Sequence, residues 1–328
     1  MVHVSIVIPF TKVDAYLAEC LESLIHIHDE NVDLVLVYDK VLSPSEKSCL
    51  EEYLQKLNIK CSLFFSPVTG LSNCLNAAIN RAKGEYICRL DSDDLMIPNR
   101  IHLQRDYLDK NPDVAAIGGQ ILFIDEVGFE IPNRKSRYPV GKSKTRNSFE
   151  VGCYLAHPAV MMRKSCFLDV GGYRSRFKFA EDYDLWLRIL DKYEIDNLSE
   201  VVTKYREHAG QSSQKMGKVN LYSMAAVMSR ERRRSHSHQS DLPDCEIEDW
   251  VEAELDGLKK ESESTGKSVG KNSKVNFLEI QFMNAKKLFN EGRIFKSSSI
   301  AIKILLVHPS FMMQKLYYFI RVRIVRDF

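Results

Sequence analysis

Three observations predict an α/β fold with a mostly parallel sheet flanked by helices. Strand-length apolar runs alternate with helical patterns over roughly the first hundred residues. The runs are apolar at nearly every position, as in strands covered on both faces. Polar groups follow them at Thr11, Asp39 and Asp91, where ligands bind such sheets, beyond the carboxyl ends of the strands.

The elements follow in chain order. Val4 to Ile8 reads as a strand stopped by Pro9, with Phe10-Thr11-Lys12 at its end. Asp14 is placed to cap a helix that carries Leu17, Cys20, Leu21, Leu24 and Ile25 on one face. Leu34 to Tyr38 is the second strand and runs into Asp39. Pro44 to Leu57 reads as a helix, and Cys61 to Phe65 as the third strand. Leu71, Cys74, Leu75, Ala78, Ile79 and Ala82 repeat at helical spacing, with Ser72 and Asn73 near the start and Gly84 just past the end. Crossovers of this kind are expected to be right-handed.

Tyr86-Ile87-Cys88-Arg89-Leu90 is a short buried strand by composition, and it ends in Asp91-Ser92-Asp93-Asp94. Carboxylates this close repel one another, and burying them unpaired is costly. A hard divalent cation that also holds a phosphate suits them. A solvated acidic turn before the helix after Pro98 is the alternative. The shared edge with Asp39 argues against it.

The chain has 328 residues, 45% hydrophobic and 27% charged, enough for one large or two modest domains with a real core. A net charge of +2 gives no global footprint for nucleic acid. The cysteines (Cys20, Cys49, Cys61, Cys74, Cys88, Cys153, Cys166 and Cys245) form no Cys-x-x-Cys pair and read as reduced thiols of a cytoplasmic protein. The start runs directly into a strand, so no signal peptide is expected. No apolar run is long enough to span a bilayer. No Gly-x-Gly-x-x-Gly follows the first strand, which disfavours a dinucleotide-binding protein.

Taken together, several ordered stretches resemble family 2 glycosyltransferases. They are Ser5 to Pro9, the strand ending at Asp39, Gly70 to Ile79, Lys83-Gly84-Glu85 through Asp94, and Pro98-Asn99-Arg100. His157 to Met161, Gly171-Gly172-Tyr173 and Ala180 to Leu187 complete the set. The resemblance covers about residues 3 to 215 and is nearest to bacterial enzymes of capsule, O-antigen or exopolysaccharide synthesis. It implies the GT-A nucleotide-sugar-binding fold, inversion at the anomeric carbon, a Mn²⁺ or Mg²⁺ ion, and a nucleotide-sugar donor, typically a UDP-sugar. The acceptor implied is a saccharide or lipid-linked saccharide. A catalytically silent sugar-nucleotide-binding protein of a polysaccharide assembly complex is the alternative.

The resemblance also implies roles. Asp93 is the principal metal ligand, Asp91 a ribose or second metal contact, and Asp94 either. Asp39 accepts a hydrogen bond from the base. Pro9, Thr11, Gly70, Asn73, Arg89 and Ser92 are expected along the donor. Arg89 and Arg100 face phosphate or ribose, unless they simply pair with Asp at the surface. Asp182 is the general base, with Glu181 orienting it or the acceptor sugar. The competing account is that acids favour the start of the amphipathic helix after Tyr183. In Tyr205-Arg206-Glu207-His208, His208 or Arg206 is a candidate for metal or diphosphate, and His157 is a weaker one. Three departures concern base and ribose: Phe10-Thr11-Lys12 replaces the usual Tyr-Asn, Lys40 follows Asp39, and Val68-Thr69-Gly70 opens the helix.

The expected domains are a catalytic domain at 1–215, a helical extension at 216–258, a Ser/Gly/Lys-rich linker at 259–274 and a basic amphipathic tail at 275–328. The Arg-rich run from Arg230 to Arg234 reads as a solvated helix end. The tail carries nine Lys and Arg against three acids, or +6. It suits peripheral contact with the inner face of the cytoplasmic membrane, or a packed hairpin or homodimer element.

Overall fold

The computed structural model describes residues 1–149 and 152–211, together with 222, 223, 225–230, 233, 247–249, 251 and 252. The linker at 259–274 and the tail at 275–328 lie outside the described residues. The elements are β1 (Val4–Phe10), α1 (Ala15–Glu22), β2 (Val32–Tyr38), α2 (Pro44–Leu54), β3 (Lys60–Phe65), α3 (Leu71–Arg81), β4 (Tyr86–Arg89) and β5 (Leu95–Met96). Then come α4 (Arg100–Lys110), β6 (Val114–Ile124), β7 (Glu130–Lys135), α5 (Lys142–Ser148), a 3-10 turn at His157–Ala159, β8 (Met161–Arg163), α6 (Lys164–Asp169), α7 (Glu181–Ile189) and β9 (Glu194–Arg206).

Among the described residues these strands form one sheet, in the order β3-β2-β1-β4-β8-β6-β9-β5, with β7 paired to β6. The half from β3 to β4 is parallel, as the alternating pattern predicts. Beyond it the sheet is mixed: β8 runs antiparallel to both β4 and β6, while β6 and β9 are parallel.

Strand alternation sends side chains to two cores. Ile6, Ile8, Leu34, Leu36 and Cys88 face one side and pack with Leu17 and Leu21 of α1, Leu50 of α2, and Ile101 and Leu108 of α4. Val7, Val35, Val37 and Ile87 face the other, with Leu75 and Ile79 of α3 and Leu185 to Leu187 of α7. Asp14 caps α1 as expected, its carboxylate accepting from Leu17 N at 3.1 Å. Ser43 and Glu46 form a capping box around Pro44.

Gly84 serves a different end from the helix stop its position suggests. Its N–H donates to Ser5 Oγ at 2.8 Å, and a Cβ there would stand 2.4 Å from Ser5 N. The residue lets the α3–β4 connection lie directly on β1, which sets the height at which β4 delivers Asp91.

Two further expectations change. The helix after Ala180 is amphipathic in sequence but has no solvent face from Tyr183 to Ile189: every residue there is buried, Asp184 and Arg188 included. Its outer side is covered by Tyr222, Ala225, Ala226, Ile247 and Val251, which belong to the same apolar cluster. Arg230 is not solvated either. It is 3% exposed, and its Nε donates to Asp191 Oδ1 at 2.9 Å.

Arg100 meets neither ligand nor surface. It is fully buried and donates to the carbonyls of Arg89 (2.7 Å), Pro158 (2.7 Å) and Val160 (3.0 Å), to Thr203 Oγ1 (3.0 Å) and to Gln104 Oε1 (3.0 Å). One guanidinium thus fastens the end of β4 to the 3-10 turn and to β9. Arg100→Met keeps the bulk but strands these acceptors, each costing about 1–3 kcal/mol when left bare. Urea unfolding is expected to show a loss of about 3 kcal/mol or more; a loss below about 1 kcal/mol would contradict the clamp.

Candidate active site

Register places the site. Phe10 pairs with Tyr38, Tyr38 with Phe65, and Val7 with Arg89, so the ends of β1, β2 and β4 share one edge. Pro9 lies near the end of β1 and exposed Thr11 just past it. Tyr38 is sandwiched between Phe10 and Phe65, with ring centroids 5.5 and 5.6 Å away. Next to it, Asp39 Oδ2 accepts from Gly70 N at 2.9 Å. Gly70 has φ 100, a left-handed conformation that only glycine adopts without strain. The other oxygen, Asp39 Oδ1, is buried without a hydrogen-bond partner. Asn73 turns its amide nitrogen back to donate to Thr69 O at 2.8 Å.

Beyond β4, one oxygen each from Asp91, Asp93 and Asp94 lie within 4.8 Å of one another. Ser92 is half-buried between the first two. Arg89, 2% exposed, forms a two-pronged ion pair with Asp91, one bond at 2.6 Å. His208 Nε2 lies 3.0 Å from Asp93 Oδ2. Asp94 is fully buried; its Oδ1 accepts from Arg206 N at 2.9 Å, and its Oδ2 has no partner. Burial pushes the Asp91 carboxyl up to about 6, with Asp93 and Asp182 adding to the rise and Arg89 opposing it. Burial, then Asp91 and Asp93, drive Asp94 well above the usual carboxylate range. The cluster therefore holds more acid than its own cations offset. Its oxygen donors and the orphaned Asp94 oxygen fit a hard divalent cation.

Arg206, expected like His208 to reach metal or diphosphate, instead shapes this loop. It is fully buried; its Nε donates to Asp93 O at 2.9 Å and it pairs with Glu19 at 2.5 Å. Its guanidinium stacks 4.8 Å from the centre of Tyr16, whose ring also meets His208 at 5.0 Å. Cys20 Sγ donates to Asp91 O at 3.3 Å.

The second acidic pair opens α7. Phe179, just before it, has φ 64, a conformation that bulky residues rarely hold without support. Asp182 Oδ1 accepts from Tyr183 N at 2.7 Å, and Cys153 Sγ stands 3.9 Å from Oδ2. Burial raises Asp182. Burial and the neighbouring Asp182 push Glu181 up to about 7, and Arg89 and Asp91 are near enough to act on it. The two acidic groups are thus close enough to act on each other's charge.

The remaining motifs interlock to hold α7. Asn76 of α3 clasps Tyr173 through both amide atoms, at 2.8 and 2.9 Å. Asp184, 1% exposed, pairs with Arg174 and with Arg188, which donates to Val170 O and, at 2.6 Å, to Gly172 O. His157 Nε2 meets the Tyr173 hydroxyl at 2.7 Å. Burial, with Arg89 nearby, lowers the His157 pKa well below its usual value, so its ring stays neutral. No helix among the described residues is long and apolar enough to cross a membrane.

Residues 5–171 match the family described as Glycosyl transferase family 2. Among curated proteins, the amylovoran biosynthesis glycosyltransferase AmsE of Erwinia amylovora is 30% identical over 65% of this chain and 80% of its own length. The O-antigen biosynthesis glycosyltransferase WbnJ of Escherichia coli is 30% identical over 70% of this chain and 88% of its own. Among solved structures, S. aureus TarS 1–349 in complex with UDP-GlcNAc covers 94% of this chain and 88% of its own, with TM-score 0.56 and 16% identity. The mannosyltransferase PcManGT from Pyrobaculum calidifontis, in complex with GDP-Man and Mn²⁺, covers 92% and 85%, with TM-score 0.52 and 12% identity. At these identities the two structures speak for the fold, which is the GT-A fold.

Proposed function

The chain belongs to glycosyl transferase family 2 and is a transferase; from that premise we propose that it is an inverting, metal-dependent glycosyltransferase of cell-surface polysaccharide synthesis. It moves a sugar from a nucleotide-sugar donor, a UDP-sugar, to a saccharide or lipid-linked saccharide. The observation that carries this reading is the Asp91, Asp93 and Asp94 cluster at the end of β4 in the parallel sheet half, with the Glu181–Asp182 pair within electrostatic reach of it. The polysaccharide names of the relatives and the UDP-GlcNAc bound by TarS support it.

The nucleoside lies along Pro9, Thr11, Gly70 and Asn73, with the bare oxygen of Asp39 accepting from the base. Asp93, Asp91 and His208 hold Mn²⁺ or Mg²⁺, which supplies positive charge for the departing diphosphate. Arg89 fixes the orientation of Asp91, and Arg206 fixes the backbone that carries Asp93. Asp182 takes the proton of the attacking acceptor hydroxyl, and Glu181 orients the acceptor. The domains proposed are the catalytic unit at 1–215, a helical extension at 216–258, the linker at 259–274, and a tail at 275–328 for membrane contact or self-association.

The test is UDP release from a panel of UDP-sugars with Mn²⁺, beside calorimetry with UDP. Release that stops on chelation is expected. UDP heat without turnover of any donor or acceptor would favour a silent binding protein, and neither heat nor turnover would overturn the reading.

A pH dependence follows. A base must be ionised, and both acids of the pair are raised, Glu181 to about 7. Transfer is therefore expected to fall with falling pH along a limb set by Asp182 and lying above the usual carboxylate range near 4. Glu181→Gln keeps the uncharged form that Glu181 already holds below about 7, so the acid limb should stay nearly in place. A wild-type limb lying below pH 5 would refute the buried-pair account.

A further inference from the structure

We propose that the cleft between the end of β7 and the start of α5 is an acceptor subsite for a negatively charged group, held by Lys135 and Arg137. The inference deepens the transferase reading and rests on it. The cleft has a volume of about 430 Å³ and is lined by Lys135, Ser136, Arg137, Tyr138 and Gln120, among others.

Its frame is rigid. Gln120, 5% exposed, accepts from Tyr138 N at 2.8 Å and from Ser136 Oγ at 3.1 Å, and donates to the carbonyls of Tyr138 (3.2 Å) and Leu198 (3.0 Å). A buried amide with both ends satisfied holds the segment in one shape. Lys135 and Arg137 are two residues apart, the spacing that puts side chains on one side of an extended chain. Arg134, between these directions, is committed elsewhere, to Glu207 and to the face of Phe123. Among the described residues no carboxylate pairs with Lys135 or Arg137. Two exposed cations on a fixed frame lack an anion.

The cleft is joined to the proposed base. Asn197, 1% exposed, donates to Pro139 O (3.1 Å) on the cleft side and to Tyr154 O (3.0 Å) on the other. Tyr154 follows Cys153, whose sulfur stands 3.9 Å from Asp182. Asp182 also contributes to raising the Tyr138 hydroxyl, after burial and the nearby Cys153 and Tyr205. Tyr138, which lines the cleft beside Lys135 and Arg137, thus lies within electrostatic reach of Asp182. The anion held by Lys135 and Arg137 could be the diphosphate of a lipid-linked saccharide or the carboxylate of an acidic sugar.

The test uses three probes with the full chain in saturating UDP and Mn²⁺: a farnesyl diphosphate-linked N-acetylglucosamine, a glucuronate-containing disaccharide and its neutral counterpart. Dissociation constants are measured by ligand-observed NMR. At least one anionic probe is expected to bind about tenfold or more tighter than the neutral one, the scale of a charge-assisted contact. Which probe wins identifies the anion. Lys135→Ala with Arg137→Ala should erase the preference while UDP affinity stays unchanged. Equal binding of all three probes, no binding of any, or a preference that survives the double variant would overturn the subsite. UDP is titrated separately: absent UDP binding beside intact, Lys135- and Arg137-dependent probe binding would sink the donor reading and leave the subsite standing.

Discussion

Asp182→Asn is expected to leave UDP binding intact and to lower transfer by about a hundredfold or more. Asparagine keeps the shape of the side chain and still accepts from Tyr183 N, so the first turn of α7 should survive. It cannot take a proton, so only the chemical step suffers. The loss should appear in kcat with little change in the donor KM. Glu181→Gln is the internal control, because it shares the helix start and the burial. A dead Glu181→Gln beside an Asp182→Asn that transfers within a few-fold of wild type would reverse the assignment within the pair.

The second large effect concerns the other acidic group. Asp93→Ala is expected to weaken UDP binding in Mn²⁺ by about a hundredfold or more. Changing a group that merely orients a metal ligand costs about 10–100-fold, and Asp93 is proposed as a ligand itself. The fold should tolerate the change, since Arg206 holds the backbone carbonyl of Asp93 and not its carboxylate. Asp94→Asn is the contrasting variant: its Oδ1 can still accept from Arg206 N, so a structural role predicts near-normal binding. Equal UDP affinity in Asp93→Ala and wild type would falsify the ligand assignment.

How much of this was legible in the chain depends on distance along it. The parallel half was legible because its strands are continuous apolar runs and its helices keep a clean period, from Val4 to Arg89. The mixed half was not: β8 is three residues long and β5 two, too short for any pattern to register. Asp91 and Asp93 stood out because acids crowd at a strand end. Glu181 and Asp182 look like ordinary helix-start acids until the other motifs accompany them. Arg100 and Arg206 were read by their charge, which suggests solvent or ligand. Their burial is created by backbone carbonyls and acids from segments far away in sequence, such as Pro158 for Arg100 and Glu19 for Arg206. Asn76 lay within a recognised motif, yet its clasp on Tyr173 spans 97 residues and no local rule conveys it.

The family match ends at residue 171, before α7 begins, whereas Tyr222 and Val251 lie in the same apolar cluster as Trp186. The family model and the packed unit therefore end at different places, although the curated relatives match this chain well beyond residue 171, over 65% and 70% of its length. In a chimaera that exchanged only the matched stretch for a relative's, the helix bearing Glu181 and Asp182 would meet a foreign sheet on one side and its own cover on the other. The interchangeable part for swapping specificities is larger than the stretch the family model covers, and it includes Tyr222, Ala225, Ala226, Ile247 and Val251, which share a cluster with Trp186.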